Sequence, residues 1–308
     1  MLNLQQLAYF VQIAETGSLT KAAIGLDISH SVLSRRIQKF EMELGQRLFQ
    51  RTGRGVVLTE FGRKLLPRAE QLIRDASRFT DDASALRGQP SGIVVIGLPG
   101  SVAALIAGSL FQTIHSQYPL IRIRLVEGLS GVIEELLVLG RIDIGLYYSG
   151  KANHRRGDVP LAVTDLCLVG PPGDALTAGR SVTLAQMAAC PLVLPSHPHA
   201  LRVMVNEACS KAELEVSVPF EVDSLSTMKE TVESGVGYTV CAFDAVARDV
   251  AAGRLQAARI TNPPLTRLLV MTPAAKHSLT IAARAVENTI QAMILKLVKE
   301  KKWRARLP

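Results

Sequence analysis

Polar side chains recur through residues 29–39 as Ser29, His30, Ser31, Ser34, Arg35, Arg36, Gln38 and Lys39. Each can donate or accept a hydrogen bond and three carry fixed positive charge, so together they could bond phosphates or base edges. A second set suits different chemistry. Pro99-Gly100-Ser101-Val102 and Glu127-Gly128-Leu129-Ser130-Gly131 each follow an apolar strand-like run and open a helix-like one. A hydroxyl beside free N–H groups at a helix start is a natural anion site. Pro195-Ser196-His197 follows another such run, and Tyr147 ends a further one with a ring and a phenol. Catalytic patterns are missing: the sequence has no G-x-S-x-G elbow, Walker loop or dinucleotide fingerprint. His197-Pro198-His199 has no supporting cysteine or acidic cluster, so neither a metal nor a cofactor is expected.

The first set needs a helix to present it. Leu19, Ala22, Ala23 and Leu26 trace one face of a short helix, and Asp27-Ile28-Ser29 breaks it. Val32, Leu33, Ile37, Phe40 and Leu44 then mark the buried face of a second helix, with Ser29 as N-cap and Gly45 as stop. Two short helices around so tight a turn predict a helix-turn-helix, whose second helix can enter a DNA major groove. Leu4, Leu7, Ala8, Phe10, Val11 and Ala14 supply a helix behind it. Residues 50–58 read as a hairpin with a glycine turn, a wing whose Arg51 and Arg54 could reach a phosphate or minor groove. Thr59 caps a long helix carrying Leu65, Ala69, Leu72, Ala76, Phe79, Ala83 and Leu86 at alternating spacings of four and three. That heptad predicts pairing of two such helices, the alternative being a stripe packed on its own chain. Pro67 should kink the first turns.

The formal charge of +8 is concentrated rather than spread. Residues 30–68 hold nine Arg and Lys against Glu41, Glu43 and Glu60, as phosphate binding requires. The basic tail from Lys296 onward reads as a solvated, frayed end. Cys167, Cys190, Cys209 and Cys241 are scattered without a C-x-x-C pair, which fits reduced thiols. No apolar run reaches membrane-spanning length and no signal segment opens the chain, so a cytoplasmic location is expected and no membrane partner.

Phe10, Ser18-Leu19-Thr20, Ala22-Ala23, Leu26, Ile28-Ser29, Leu33-Ser34, Ile37, Glu41, Leu44-Gly45, Leu48-Phe49, Arg51 and Leu58-Thr59 form a specific set. On these residues the chain resembles the LysR-type transcriptional regulators over essentially its whole length. It departs from the family at His30-Ser31, where Gln-Pro is usual, and at Phe40, where Leu is usual. The first departure opens the recognition helix and bears on which operator is read. Leu86-Arg87-Gly88, Leu98-Pro99-Gly100 and residues 265–271 look similar to nitrogen-assimilation regulators within the family. The resemblance implies an all-α winged helix-turn-helix at 1–58, a linker dimerisation helix at 59–87, a hinge at 88–92, and an effector-binding domain at 93–308. That domain would be α/β, with two lobes of periplasmic-binding-protein type: 93–162 with 267–308, and 163–266. It also implies a homodimer or homotetramer, promoter DNA and a small-molecule effector as partners, with RNA polymerase a further candidate.

Beyond the hinge, β-branched runs at 93–98, 121–126, 142–147, 167–169 and 192–194 alternate with helix candidates at 101–117, 130–140, 184–189, 201–212 and 226–234. Such alternation predicts mainly parallel sheets covered by helices. The chain is expected to cross between lobes near 160–165 and 261–265, then return through 268–271 and a helix at 281–298. Ser101 and Ser130 match family positions that contact the inducer, and both are expected to cap their helices as well. Pro99, Gly100, Val102, Gly131, Tyr147, Ser196 and His197 complete the expected effector set. A small anionic metabolite is the expected ligand. The rival reading is a small-molecule-binding α/β protein or enzyme with an accessory basic module. The complete helix-turn-helix and the missing catalytic constellation favour a regulator, not an enzyme.

Overall fold

The computed structural model describes residues 3–53, 55–85, 89–149, 157–274 and 279–308. Arg54, Leu86, Arg87 and Gly88 of the expected sites and hinge lie outside these residues. The chain forms two compact units, Met1–Arg87 and Gly88–Pro308.

The first unit contains α1 (Leu4–Thr16), α2 (Leu19–Gly25), α3 (His30–Leu44), the hairpin β1 (Phe49–Thr52) and β2 (Gly55–Leu58), and α4 (Glu60–Ala85). Leu7, Phe10, Ile13, Ala23, Leu33, Ile37, Phe40, Leu48 and Ala69 form one core, so the apolar faces of the first three helices meet each other and the start of α4. Phe10 and Phe49 pack edge to face at 5.5 Å, fastening the hairpin to α1. The Glu41 carboxylate accepts the N–H groups of Leu48 and Phe49 at 2.7 and 3.1 Å, which fixes the turn from α3 into β1. Thr59 Oγ accepts from Gly62 N–H at 3.0 Å, capping α4. The helix runs unbroken through Pro67.

The second unit begins with β3 (Gly92–Leu98), α5 (Gly100–Gln117), β4 (Ile121–Glu127), α6 (Ser130–Val138) and β5 (Ile144–Ser149). There follow β6 (Val159–Gly170), β7 (Ser181–Thr183), α7 (Leu184–Ala188), β8 (Val193–Leu194), α8 (Ala200–Lys211) and β9 (Phe220–Glu221). The chain closes with α9 (Leu225–Glu233), β10 (Thr239–Ala242), α10 (Ala247–Ala251), β11 (Gln256–Thr261), β12 (Thr266–Pro273), α11 (Ile281–Lys299) and β13 (Ala305–Arg306). The main sheet orders its strands β4-β3-β5-β12-β6-β11-β7, with β10 and β13 also on β6.

Two lobes share this sheet. One core gathers Ile96, Ile106, Leu110, Leu269, Ile290 and Trp303 between β3, β12, α5 and α11. The other gathers Leu168, Leu184, Leu194, Val205, Val240 and Ile260. Strand β6 belongs to both: it pairs with β12 as far as Asp165 and with β10 from Leu166 onward.

Three expectations are corrected. The sheet is mixed rather than mainly parallel, because β6 and β12 carry the chain across and back, and β6 runs antiparallel to β10, β11, β12 and β13. The strand expected at 142–147 is β5, displaced by two residues, because Asp143 is held outside it by Val95 N–H at 2.8 Å. The basic tail is not frayed: Trp303 is buried, β13 pairs with β6, and Arg306 reaches Asp165 at 2.8 Å.

Gly62 and Gly108 separate helix propensity from packing. Alanine favours a helix over glycine by about 1 kcal/mol, yet a Cβ at Gly62 would strike the Leu48 carbonyl, whereas one at Gly108 meets open space. Gly62→Ala should therefore cost about 1–3 kcal/mol in denaturant unfolding followed by circular dichroism. Gly108→Ala should be neutral or stabilising in the same measurement.

Candidate nucleic-acid interface and ligand cleft

In α3, Ser29 accepts from Val32 N–H at 3.3 Å and Gly45 closes the helix in the left-handed conformation at φ 72°. Burial of Leu33, Ile37 and Phe40 fixes the rotation of the helix about its axis. His30, Ser31, Arg35, Gln38 and Lys39 are consequently exposed, and Ser34 is half-buried beside them. The hydroxyls of Ser29 and Ser31 lie 3.1 Å apart. Arg36 is exposed as well, but its guanidinium is engaged within the unit. It donates to Gln5 at 2.8 Å and to the Tyr9 hydroxyl at 3.1 Å, and its guanidinium lies 5.5 Å from the Tyr9 ring. It ties α3 to α1 rather than standing clear of the domain. Arg51 is exposed on the wing, and a groove between α3 and the hairpin is lined by Ser34, Gln38, Gln46, Arg47, Gln50 and Arg51. Gln46 and Arg47 lie in the turn after α3 and Gln50 on β1, all outside the helical periodicity that marked the other residues.

The α4 stripe divides in two. Ala69 is buried and Leu65 half-buried against the unit's own core, whereas Leu72 and Phe79 are 43% and 78% exposed. Ala76 is half-buried and Ala83 exposed.

The C-terminal unit has a cavity of about 80 Å³ between its lobes. One lobe supplies Pro99, Gly100, Ser101, Gly128, Leu129, Ser130, Tyr148 and Arg267; the other supplies Pro195, His199, Leu201, Leu225, Met228, Val240, Cys241 and Ala245. Four expected residues thus meet here: Pro99, Gly100, Ser101 and Ser130. Five do not. Val102 is buried in the lobe core, and Gly131 follows Ser130 away from the lining. Tyr147 faces the opposite side of the sheet, donating to Asp158 at 3.0 Å, because strand alternation gives the cavity to Tyr148. Ser196 is held by Asp223 at 2.8 and 2.9 Å and His197 by Asn206 at 3.0 Å.

The capping expectation also fails. Pro99 and Leu129 are the N-caps of α5 and α6, and neither makes a side-chain cap bond. Ser101 lies one residue inside α5, and Ser130, the first residue of α6, accepts from Tyr148 N–H at 3.2 Å. Neither helix start is therefore capped by the side chain of its own N-cap residue.

Arg267 was missed, although a single base inside the apolar strand 265–271 is a legible signal. It is 8% exposed, and its guanidinium stacks 3.9 Å from the Tyr148 ring. Its Nε is buried without a hydrogen-bond partner, and no ion pair engages it among the described residues. Burial pulls its pKa below the usual arginine value. Burial and then Arg267 push His199 down to about 4 against the pull of Asp223, so the imidazole is neutral near pH 7. His199 Nδ1 accepts from Leu201 N–H at 3.2 Å, leaving Nε2 to carry the proton. Burial drives the Cys241 thiol up to about 12, so that thiol is protonated near pH 7.

Residues 87–293 match the LysR substrate binding domain, and residues 4–63 match the bacterial regulatory helix-turn-helix proteins of the lysR family. The chain belongs to that family, as a LysR-type transcriptional regulator with an effector-binding domain. It is similar to the nitrogen assimilation regulatory protein nac of Klebsiella aerogenes, with 32% identity over 298 residues and 95% of each chain covered. The nac protein of Escherichia coli (strain K12) is 32% identical over 302 residues, with 98% of each chain covered. The crystal structure of full-length CbnR complexed with target DNA shares the fold at 22% identity and TM-score 0.72, covering 94% of this chain and 100% of that one. No helix among the described residues is long and apolar enough to cross a membrane.

Two predictions follow from these contacts. Arg36→Ala should lower stability by about 1 kcal/mol, whereas Arg35→Ala should leave the unfolding midpoint unchanged. For His199, the folded value of about 4 lies below the ordinary 6.5. Between those values the unfolded chain binds a proton that the folded chain refuses, so stability falls as pH drops through the window. His199→Asn keeps an acceptor for Leu201 N–H without the titration. Its urea midpoint should fall less than wild type between neutral pH and about pH 5.

Proposed function

We propose that the chain reads duplex DNA with α3, works as a dimer joined along α4, and responds to a small anion bound between the lobes of its C-terminal unit. The exposed row His30, Ser31, Arg35, Gln38 and Lys39, held outward by a buried Leu33–Ile37–Phe40 face, is the observation that carries the DNA reading. Arg51 and the groove residues Gln46, Arg47 and Gln50 extend that surface toward flanking phosphates. CbnR, solved with its target DNA, has the same fold and supports this reading. Exposed Leu72 and Phe79 continue a seam that a second copy would cover, and two copies can meet two half-sites a helical turn apart. For the ligand, the support is Arg267, a buried cation without an anionic partner beside two uncapped helix starts.

Arg35→Ala should weaken binding to DNA selected from a random pool, by about 1–3 kcal/mol if the contact is to a base, or with a reduced salt slope if to phosphate. Unchanged affinity and salt dependence reject this use of α3. Leu72→Asp should shift sedimentation toward monomer and collapse DNA binding, since a charge buried in the seam costs several kcal/mol. Sedimentation like wild type rejects the α4 dimer. Small anions should raise the thermal midpoint of the full chain; if none does, the cleft reading falls.

A further inference from the structure

We infer that the cleft takes a monocarboxylate with a short apolar chain, its carboxylate on Arg267 and its chain against the second lobe. This rests on the cleft reading above and narrows it to a ligand class.

The lining is polar at one end only. Among the described residues that line it, Arg267 is the single formal charge, and the starts of α5 and α6 and Ser101 line the same cavity. The second lobe contributes Pro195, Leu201, Leu225, Met228 and Val240, with His199 as its one ring carrying a polar atom. A linear dicarboxylate held by Arg267 would press its second charge against that apolar wall, where burial without a partner is costly. An ammonium group fares no better, because no carboxylate lines the cavity. Glu127 stands over Gly100 at the exposed end of β4, and Asp223 is engaged by Ser196. His199 adds no second charge: its Nδ1 already accepts from Leu201, and its pKa of about 4 keeps it neutral.

The guanidinium sets how the anion approaches. Stacking on Tyr148 covers one face and Nε is buried, so the terminal nitrogens are left to meet it. Guanidinium pairs with carboxylate and phosphate alike, so selection falls to the single charge and the apolar wall. Size limits the chain. A cavity of about 80 Å³ holds only a few non-hydrogen atoms.

The test is calorimetry and thermal shift on the full chain with formate, acetate, propionate and butyrate, set against malonate, succinate, alanine and phosphate. Affinity should rise about fourfold per added methylene until the cavity is full. The best monocarboxylate should bind at least tenfold more tightly than any dicarboxylate, amino acid or phosphate. Arg267→Met, which keeps the packing volume, should lose at least tenfold. Arg267→Lys should fall between, since an ammonium keeps the charge but not the fork. If Arg267→Met does not fold, the Lys variant and the wild-type chain-length series still decide. Succinate or phosphate binding more tightly, or affinity independent of chain length, overturns the monocarboxylate inference while leaving the cleft reading standing. Absence of binding by every anion overturns both.

Discussion

The pairing of β6 with β12 is the constraint on which the C-terminal unit depends. Because β6 leaves β12 at Asp165 and continues along β10 and β11, the two lobes are joined by backbone hydrogen bonds within one sheet. Two strands crossing side by side resist shear but permit small changes of twist, so the lobes share an edge about which a cleft can widen or narrow. Arg267 is the second residue of β12, so the one buried charge in the cleft is mounted on the connector itself. A ligand that neutralises it acts on the strand that holds the lobes together.

Burying that charge is expensive. An unpaired ion inside a protein costs several kcal/mol, and the Tyr148 ring returns about 2 kcal/mol. Its own burial first, and this cation second, depress His199 and keep it neutral. The cleft is therefore a polar defect in an otherwise well-packed unit, surrounded by the cores of both lobes. An anion bound there removes part of a penalty already present, which stabilises the occupied state by mass action.

Periodic features and local caps were legible in the sequence; features set by register and by tertiary contact were not. Leu33, Ile37 and Phe40 announced the buried face of α3 because helical spacing alone determines it, and the Ser29 cap and Gly45 stop depend only on local backbone. The cleft demanded more. Neighbours on a strand face opposite ways, and only the packing of β5 in the sheet shows that the cavity side belongs to Tyr148 and not Tyr147. Ser101 and Ser130 looked like caps because serine favours that role, yet Pro99 and Leu129 take it through backbone alone. Arg36 shares its helical turn with Arg35 but meets Tyr9, a contact set by the crossing of α1 over α3. The tail looked solvated by its charge, whereas Trp303 and a strand pairing decide its place. The heptad of α4 was plain, and only the structure divides it between the unit's own core and solvent.

The second lobe leaves and rejoins its neighbour at almost the same point. Leu166 N–H donates to the Leu265 carbonyl at 2.9 Å, so the hundred or so intervening residues begin and end side by side. A segment with adjacent ends and its own core has the form of a domain insertion. Substitutions confined to it alter the apolar side of the cavity and leave Arg267 in place on β12.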